Sequence, residues 1–161
     1  QDAAVRTEYS LNTRSSTGIY LEKLANGSAN WQRAEAATKM SQWIDTYGNT
    51  IEIVIANNDD MALGAVDAYT AAEISDLPII VGIDGTDPAM AALFQETLTG
   101  TVLNDAEGQA CAIFNIAYAL ACGKDPYEAE PLLKAQYAWL PHKILTLDRL
   151  NSTSSPNSAT P

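Results

Sequence analysis

The chain has 161 residues, 47% of them hydrophobic, which suits one globular domain of ordinary size. Its formal net charge of −11 argues against nucleic acid or an anionic membrane surface as a partner, because like charges repel. No run of about 18 apolar residues is present, so the sequence offers no candidate membrane span.

Helical and strand-like segments alternate along the chain. Helical periodicity predicts helices over residues 2–13, 29–48, 61–74, 88–97 and 106–124. Short apolar runs predict strands at 51–56, 77–83, 100–104 and 139–147, with a short strand and loop at 18–27. The run at 51–56 is apolar on both faces, which is typical of a central parallel strand. The alternation predicts an α/β fold with a doubly wound parallel sheet.

The helix at 106–124 is apolar nearly all round, which predicts burial on several sides. It carries both cysteines, Cys111 and Cys122. Eleven residues of helix separate them by roughly 16 Å, whereas a disulfide needs Cα atoms within about 7 Å. We therefore expect two reduced core residues. Residues 151–161 are of low complexity, and we expect a disordered tail there.

Polar side chains follow three of the predicted strands. The residues concerned are Asn57, Asn58, Asp59 and Asp60 after the first, Asp84 and Asp87 after the second, and Asn104 and Asp105 after the third. In a parallel sheet these strand ends meet at one edge, where open α/β sheets bind ligands.

Helix capping is the alternative role for these polar side chains. Asp59 or Asp60, Asp87 and Asn104 are candidate N-caps, Asn104 through a capping-box spacing to Glu107. Capping uses about one residue per loop. We therefore expect the surplus polar groups to face the crevice.

The sequence is poor in catalytic machinery. It has no G-x-S-x-G elbow, no Walker A sequence and no His/Cys metal spacing, and its single histidine, His142, is distant from the polar loops. Carboxylates accept from hydroxyls, and asparagine both donates and accepts, which favours a neutral, hydroxyl-rich ligand. Trp31 is a candidate for the apolar face of such a ligand, and a core or interface position is the alternative.

Three stretches, "IEIVIANNDDMALGAVDA", "VGIDGTDPAMAAL" and "GTVLNDAEGQA", resemble the glucose/galactose-binding proteins, which are type I periplasmic solute-binding proteins of ABC sugar importers. The resemblance runs from residue 1 to about 150. It implies a C-terminal sugar-binding lobe at 1–104, a helix at 105–124 that packs in the N-terminal lobe, a return strand and hinge at 125–150, and the tail at 151–161. The N-terminal lobe and the start of the C-terminal lobe are expected upstream of Gln1. Without that lobe, we expect the helix to expose an apolar surface or to associate with the missing piece or another copy.

The resemblance also implies a set of site residues. The sugar-binding positions are Asp2, Arg6, Trp31, Asn58, Asp84 and Asn104. Glu52 matches a carboxylate of a calcium site in some relatives, so calcium is a candidate cofactor whose other ligands would lie upstream of Gln1.

The function implied by the resemblance is that of a receptor, not an enzyme. It would bind a neutral hexose by hinge closure and present it to an ABC permease, and in some systems to a chemoreceptor. The location implied is periplasmic or extracellular, with a lipoprotein anchor as one arrangement. One alternative is the ligand-sensing effector domain of a LacI-type repressor, which shares the NDxMALGA stretch. Another is an α/β enzyme that uses Asp59 and Asp84.

Overall fold

A computed structural model of the protein describes residues 2–12 and 18–153, without the side chains of residues 2 and 153. The helices are α1 (Asp2–Asn12), α2 (Arg33–Tyr47), α3 (Asp59–Ala71), α4 (Asp87–Phe94), α5 (Ala106–Ala121), α6 (Pro126–Ala129) and α7 (Leu147–Thr153), with a 3-10 turn at Gly48–Thr50. The strands are β1 (Ile53–Ile55), β2 (Ile79–Val81), β3 (Thr101–Leu103), β4 (Leu133–Lys134), β5 (Tyr137–Ala138) and β6 (Lys143–Leu145). None of these helices is long and apolar enough to cross a bilayer.

The described chain forms two compact units. The first unit contains the residues up to Val102 and those from Ile144 onward, and the second unit contains residues 103–143. The boundary passes through β3 and β6, which are hydrogen-bonded neighbours.

A parallel sheet organises the first unit. β1 and β2 pair in parallel, with Ile53 opposite Ile79, and α3 connects them. The ladder extends toward β3, because the backbone N–H of Gly82 donates to the carbonyl of Gly100 over 3.0 Å. The predicted α/β fold with a parallel sheet is confirmed, and the carboxyl ends of β1 and β2 lie at the same edge.

The core of the first unit is built around α3. Its buried apolar residues are Ala62, Leu63, Ala65, Val66, Ala68 and Tyr69. They pack with Met40 of α2, Ile80 of β2 and Leu93 of α4. At Gly64 a Cβ atom would overlap the carbonyl of Arg33, so the absence of a side chain there allows α2 and α3 to approach closely. The fully buried Ile80 alone contributes about 1.5–3 kcal/mol of transfer free energy.

Two strand predictions in the first unit need correction. Residues 18–29 contain no regular strand, and β1 pairs only with β2 among the described residues. β1 is therefore an edge strand in the described structure, not a central one, with Ile53 and Ile55 40% and 43% exposed. A strand forms only where a neighbour satisfies its backbone groups, and periodicity does not show which neighbours are present.

The C-terminal part of the chain also differs from the prediction. The strand predicted over 139–147 is limited to β6, and α7 begins directly afterwards. Residues 151–153 complete α7 instead of belonging to a tail, because Leu150 packs against the core and holds this helix in place. Residues 154–161 of the predicted tail lie outside the described residues.

The second unit consists of α5, α6 and the antiparallel β4–β5 hairpin. Ile113, Phe114, Tyr118 and Leu120 of α5 are all exposed, and the rings of Phe114 and Tyr118 stack at 5.8 Å. The expected exposed apolar surface is thus confirmed, whereas burial of this helix on several sides is wrong.

The exposure of the two cysteines follows from the exposure of α5. Cys111 and Cys122 are free, as the spacing predicts, but both are exposed instead of lying in the core. Apolar character on all sides predicts burial only when packing partners surround the helix, and here α5 buries only Ala112 and Ala119.

Candidate functional site

A cleft of about 600 Å³ opens in the first unit near the carboxyl end of β1. Its lining comes from α1, from the loop at residues 26–31, and from the turn between β1 and α3. Trp31 and Asn57 both line it, and Glu8 lines it from α1, so each of the three elements contributes a large polar or amphipathic side chain. Ligand clefts of this size, with an aromatic wall and a few polar groups, are typical of small-molecule sites.

Arg6 connects the three elements around this cleft. Its Nη1 donates to the backbone carbonyl of Asn57 over 2.6 Å. Its Cζ atom lies 5.9 Å from the centroid of the Trp31 ring, within the range of a cation–π interaction. The guanidinium is thereby held in one orientation between the end of β1 and the indole.

Trp31 stands on an unusual backbone. Asn30 and Trp31 have φ angles of +47° and +64°, the left-handed region that bulky side chains seldom adopt. Two hydrogen bonds hold this turn: the N–H of Gln32 donates to Ala29 over 2.7 Å, and the side chain of Asn58 donates to the Trp31 carbonyl over 3.3 Å. The result is an indole that stays 43% exposed at the cleft instead of packing into the core. Strained conformations of this kind cluster at binding sites.

Asn57 and Asn58 have different tasks. The amide of Asn57 donates to the carbonyl of Ala3 over 3.2 Å and to the hydroxyl of Thr7 over 3.0 Å, which joins α1 to the end of β1. The Oδ1 atom of Asn58 accepts from the N–H of Met61 over 3.0 Å and caps α3. Sequence reasoning missed the role of Asn57, and the doubled asparagine is the signal that could have indicated it.

Asp59 is a structural carboxylate. It is 0% exposed, and Oδ1 accepts from the Thr101 hydroxyl over 2.6 Å. Oδ2 accepts from the backbone N–H of Thr86 over 2.8 Å and from the Thr86 hydroxyl over 3.2 Å. Since this side chain is enclosed and serves to join α3, β3 and the start of α4, it is badly placed to act on a substrate.

The capping residues are not the predicted ones. Asn58 caps α3, Thr86 caps α4 through its hydroxyl, and Asp105 caps α5. Asp59 and Asp87 are instead the first helical residues, one position later. Composition alone cannot separate neighbouring cap candidates, because the cap is decided by which residue has extended backbone angles.

Asp84 lies at the carboxyl end of β2, at the same sheet edge as the end of β1. Its φ of +131° is in the region favoured by glycine, and its N–H donates to the carbonyl of Val102 over 2.9 Å. The next residue, Gly85, donates its N–H to the Thr101 hydroxyl over 3.3 Å. The loop that carries the Asp84 carboxyl group is thus fixed by hydrogen bonds from its own backbone N–H groups.

Of the predicted site residues that the structure describes, Trp31 lines this cleft, while Arg6 and Asn58 bond to the elements that form it. Asn104 belongs to the second unit, where its Oδ1 accepts from the side chain of Gln109 over 2.6 Å. Asp2 is the first residue of α1, and its side chain is outside the described residues. The structure therefore brings Arg6, Trp31 and Asn58 together, and it places Asp84 at the same sheet edge.

The described residues do not fit a calcium site. Glu52 is exposed just before β1. Within residues 2–12 and 18–153, no group of three or more His, Cys, Asp or Glu side chains could hold a metal ion. A single carboxylate falls short of the six to eight oxygen ligands that calcium takes.

Comparison with known proteins places this geometry in a family. Residues 6–125 match the periplasmic binding protein domain. The chain is 36% identical over 92% of its length to the D-galactose/methyl-galactoside binding periplasmic protein of Haemophilus influenzae, and 40% identical over 65% of its length to the xylitol-binding protein of Mycolicibacterium smegmatis. It spans 45% and 30% of these relatives, respectively.

A solved structure agrees with the sequence relatives. An ABC transporter solute binding protein from Bacillus halodurans with bound myo-inositol is 33% identical, with a TM-score of 0.70. The match covers 83% of this chain and 43% of that one. The chain therefore spans less than half the length of the proteins it resembles.

Proposed function

The chain belongs to the periplasmic binding protein family, and from that premise we propose that it holds one sugar-binding lobe of an ABC importer's receptor. The proposed ligand is a neutral hexose of the glucose or galactose type. The proposed lobe comprises residues 1–104, the helix at 105–124 packs in the other lobe, and residues 125–150 form the return strand and hinge. The relatives are named as binding proteins, which supports a receptor over an enzyme.

The observation that carries this proposal is the pairing of Arg6 with Trp31, which lines the cleft. The indole is exposed by a strained turn, and the guanidinium lies 5.9 Å from its ring centroid. An exposed indole plane packs on the C–H face of a pyranose, while neighbouring donors bond its hydroxyls. Hydrogen bonds from a charged donor are worth about 1.5–3 kcal/mol each.

The chemistry of the ligand follows from the residues of the proposed site. Asp84 supplies an acceptor for hydroxyl protons, and Asn58 and Asn104 supply amides that both donate and accept. The oxygen and the nitrogen of the Asn58 side-chain amide both form hydrogen bonds within the chain. A ligand that contacts the amide nitrogen would therefore replace its 3.3 Å hydrogen bond to the Trp31 carbonyl. Galactose, xylitol and myo-inositol, which appear in the names of the similar proteins, are all neutral polyhydroxyl compounds.

The proposed mechanism is hinge closure. A sugar held by this lobe would also contact the second lobe, so ligand binding would favour the closed arrangement. The permease in the membrane is the proposed binding partner of that closed form, and a chemoreceptor is the proposed partner in a sensing role. The proposed location is the periplasm or the cell exterior, with lipoprotein anchoring as one means of retention.

The test is a calorimetric titration of the full-length gene product with D-glucose, D-galactose, xylitol and myo-inositol. We expect micromolar or tighter binding of one hexose. Trp31→Ala should weaken it at least tenfold, about 1.4 kcal/mol, and Asn58→Ala should also weaken it by freeing the Trp31 turn. The matched control is Trp139→Ala, because Trp139 is exposed in the second unit.

Each outcome of this titration has a defined meaning. Tighter binding of xylitol or myo-inositol than of either hexose would refute the proposal that the ligand is a hexose, but the proposed receptor function would stand. If none of the four compounds binds, or if Trp31→Ala and Trp139→Ala weaken binding equally, the proposed site is refuted.

A further inference from the structure

The turn that exposes Trp31 has a sequence that is unfavourable for its shape. Asn30 and Trp31 are its two central residues, both with positive φ angles, and the N–H of Gln32 donates to the carbonyl of Ala29 over 2.7 Å. This is the pattern of a type I′ turn, whose preferred central pair is Asn-Gly. Asparagine at the first central position is ordinary, but an indole at the second takes the place of the preferred glycine. Interactions from outside the turn have to compensate for this conformation.

Glu35, in the first turn of α2, supplies one such interaction. Its Oε2 atom accepts from the side-chain amide of Asn30 over 2.8 Å. This hydrogen bond has a carboxylate as its acceptor and is shorter than the 3.3 Å bond that Asn58 donates to the Trp31 carbonyl. The two bonds are therefore complementary, because Glu35 holds the first central residue of the turn and Asn58 holds the second.

The usual hydrogen bond of a glutamate at this helix position does not account for Glu35. A glutamate three residues after the N-cap ordinarily accepts from the backbone N–H of the N-cap residue, which is Gln32 here. That N–H is used within the turn, where it donates to Ala29. The Glu35 side chain instead extends past the helix start to Asn30. A favourable interaction with the helix dipole is the alternative reason for an acidic residue here.

We propose that Glu35 is a positioning residue of the sugar site, an inference that rests on the function proposed above. Glu35 does not line the cleft, whereas Asn30 and Trp31 do. By holding Asn30, the carboxylate keeps the turn in its left-handed conformation, so the indole stands at the cleft before a ligand arrives. Preorganisation of this kind raises affinity, because less conformational freedom is lost on binding.

Fluorine NMR of the full-length gene product labelled with 5-fluorotryptophan tests this proposal without any sugar. The Trp31 line is identified by its loss in Trp31→Phe, and the Trp43 line by its loss in Trp43→Phe. Trp43 lies in the same helix as Glu35 and packs against the core, so its line reports whether α2 is intact. We expect Glu35→Ala to shift, broaden or split the Trp31 line and to leave the Trp43 line in place.

Two further variants separate the hydrogen bond from the charge. Glu35→Gln keeps an acceptor for Asn30 and removes the negative charge, so the Trp31 line should stay in place. Asp45→Ala removes an exposed carboxylate near the other end of α2 and should also leave that line unchanged. In a calorimetric titration with D-galactose, Glu35→Ala should weaken binding roughly three- to tenfold, and Glu35→Gln should bind within about twofold of the unaltered protein.

Several results would overturn the proposal. An unchanged Trp31 line, or an unchanged affinity for D-galactose, in Glu35→Ala would show that Glu35 does not position the indole for the sugar. Equal effects of Glu35→Ala and Glu35→Gln would assign the role to the helix dipole. Movement of the Trp43 line together with the Trp31 line would show a general loss of α2.

Failure of the proposed function has a different signature. A Trp31 line that moves as expected, in a protein that binds no sugar, would refute the sugar site. The role of Glu35 in positioning the indole would then stand.

Discussion

Substitution of Asp59 by alanine should be among the most damaging single changes in the first unit. The carboxylate accepts three hydrogen bonds, from the Thr101 hydroxyl and from the N–H and hydroxyl of Thr86, at 2.6, 2.8 and 3.2 Å. Asp59→Ala removes all three and leaves the Thr101 hydroxyl and the Thr86 N–H without these acceptors. It also allows α3, β3 and the start of α4 to separate.

The size of the effect follows from these bonds. A hydrogen bond to a charged group contributes about 1.5–3 kcal/mol, and loss of the costly burial of a carboxylate offsets part of the sum. We expect a net loss of about 3–5 kcal/mol, a large share of the 5–15 kcal/mol that stabilises a typical domain. Asp59→Asn keeps the shape and exchanges one acceptor for a donor, so it should lose about 2–3 kcal/mol.

Urea denaturation followed by circular dichroism measures this difference. The matched control is Asp60→Ala, because Asp60 is the next residue in the same helical turn and is exposed, so it should change the free energy of unfolding by about 0.5 kcal/mol or less. If the free energies of unfolding of Asp59→Ala and Asp60→Ala agree within about 1 kcal/mol, the conclusion that Asp59 stabilises the first unit by joining α3, β3 and α4 is wrong.

Two further predictions concern Tyr69 and the cysteines. Burial raises the pKa of the Tyr69 phenol above its ordinary value of 10.0. The stability that depends on the neutral phenol is therefore present below about pH 10 and is lost as pH rises through the folded-state pKa. Ultraviolet titration should show one late-ionising tyrosine that Tyr69→Phe removes, and a profile unchanged by that substitution would contradict the assignment. Cys111 and Cys122 are exposed and free, so both thiols of this chain should react with a thiol reagent within the time of mixing. In the full-length gene product, the packing proposed for α5 should slow the reaction of at least one thiol tenfold or more. Equal rates in the two proteins would contradict that packing.

Several features of the protein were determined by the sequence alone. Apolar runs ending in Asn or Asp and followed by helical periodicity predicted β1, α3, β2 and α4 near their observed positions, because strand and helix periods are local properties of the chain. The same runs predicted that Asn58 and Asp84 would follow strand ends at one edge of a parallel sheet. The motifs around them resembled the periplasmic binding proteins, and the family match agrees.

The tertiary structure decided the rest, because it depends on which surfaces meet. Whether a polar residue caps, binds or supports is a matter of backbone angles and neighbours: Asn58 caps α3, Asp59 joins three elements, and Asn57 holds α1, although all three are adjacent in sequence. Periodicity predicted a central strand and a buried helix, while the structure shows an edge at Ile53 and Ile55 and an exposed apolar face on α5. An apolar pattern records the burial for which a segment is suited, and only the packing partners that are present determine whether it is buried.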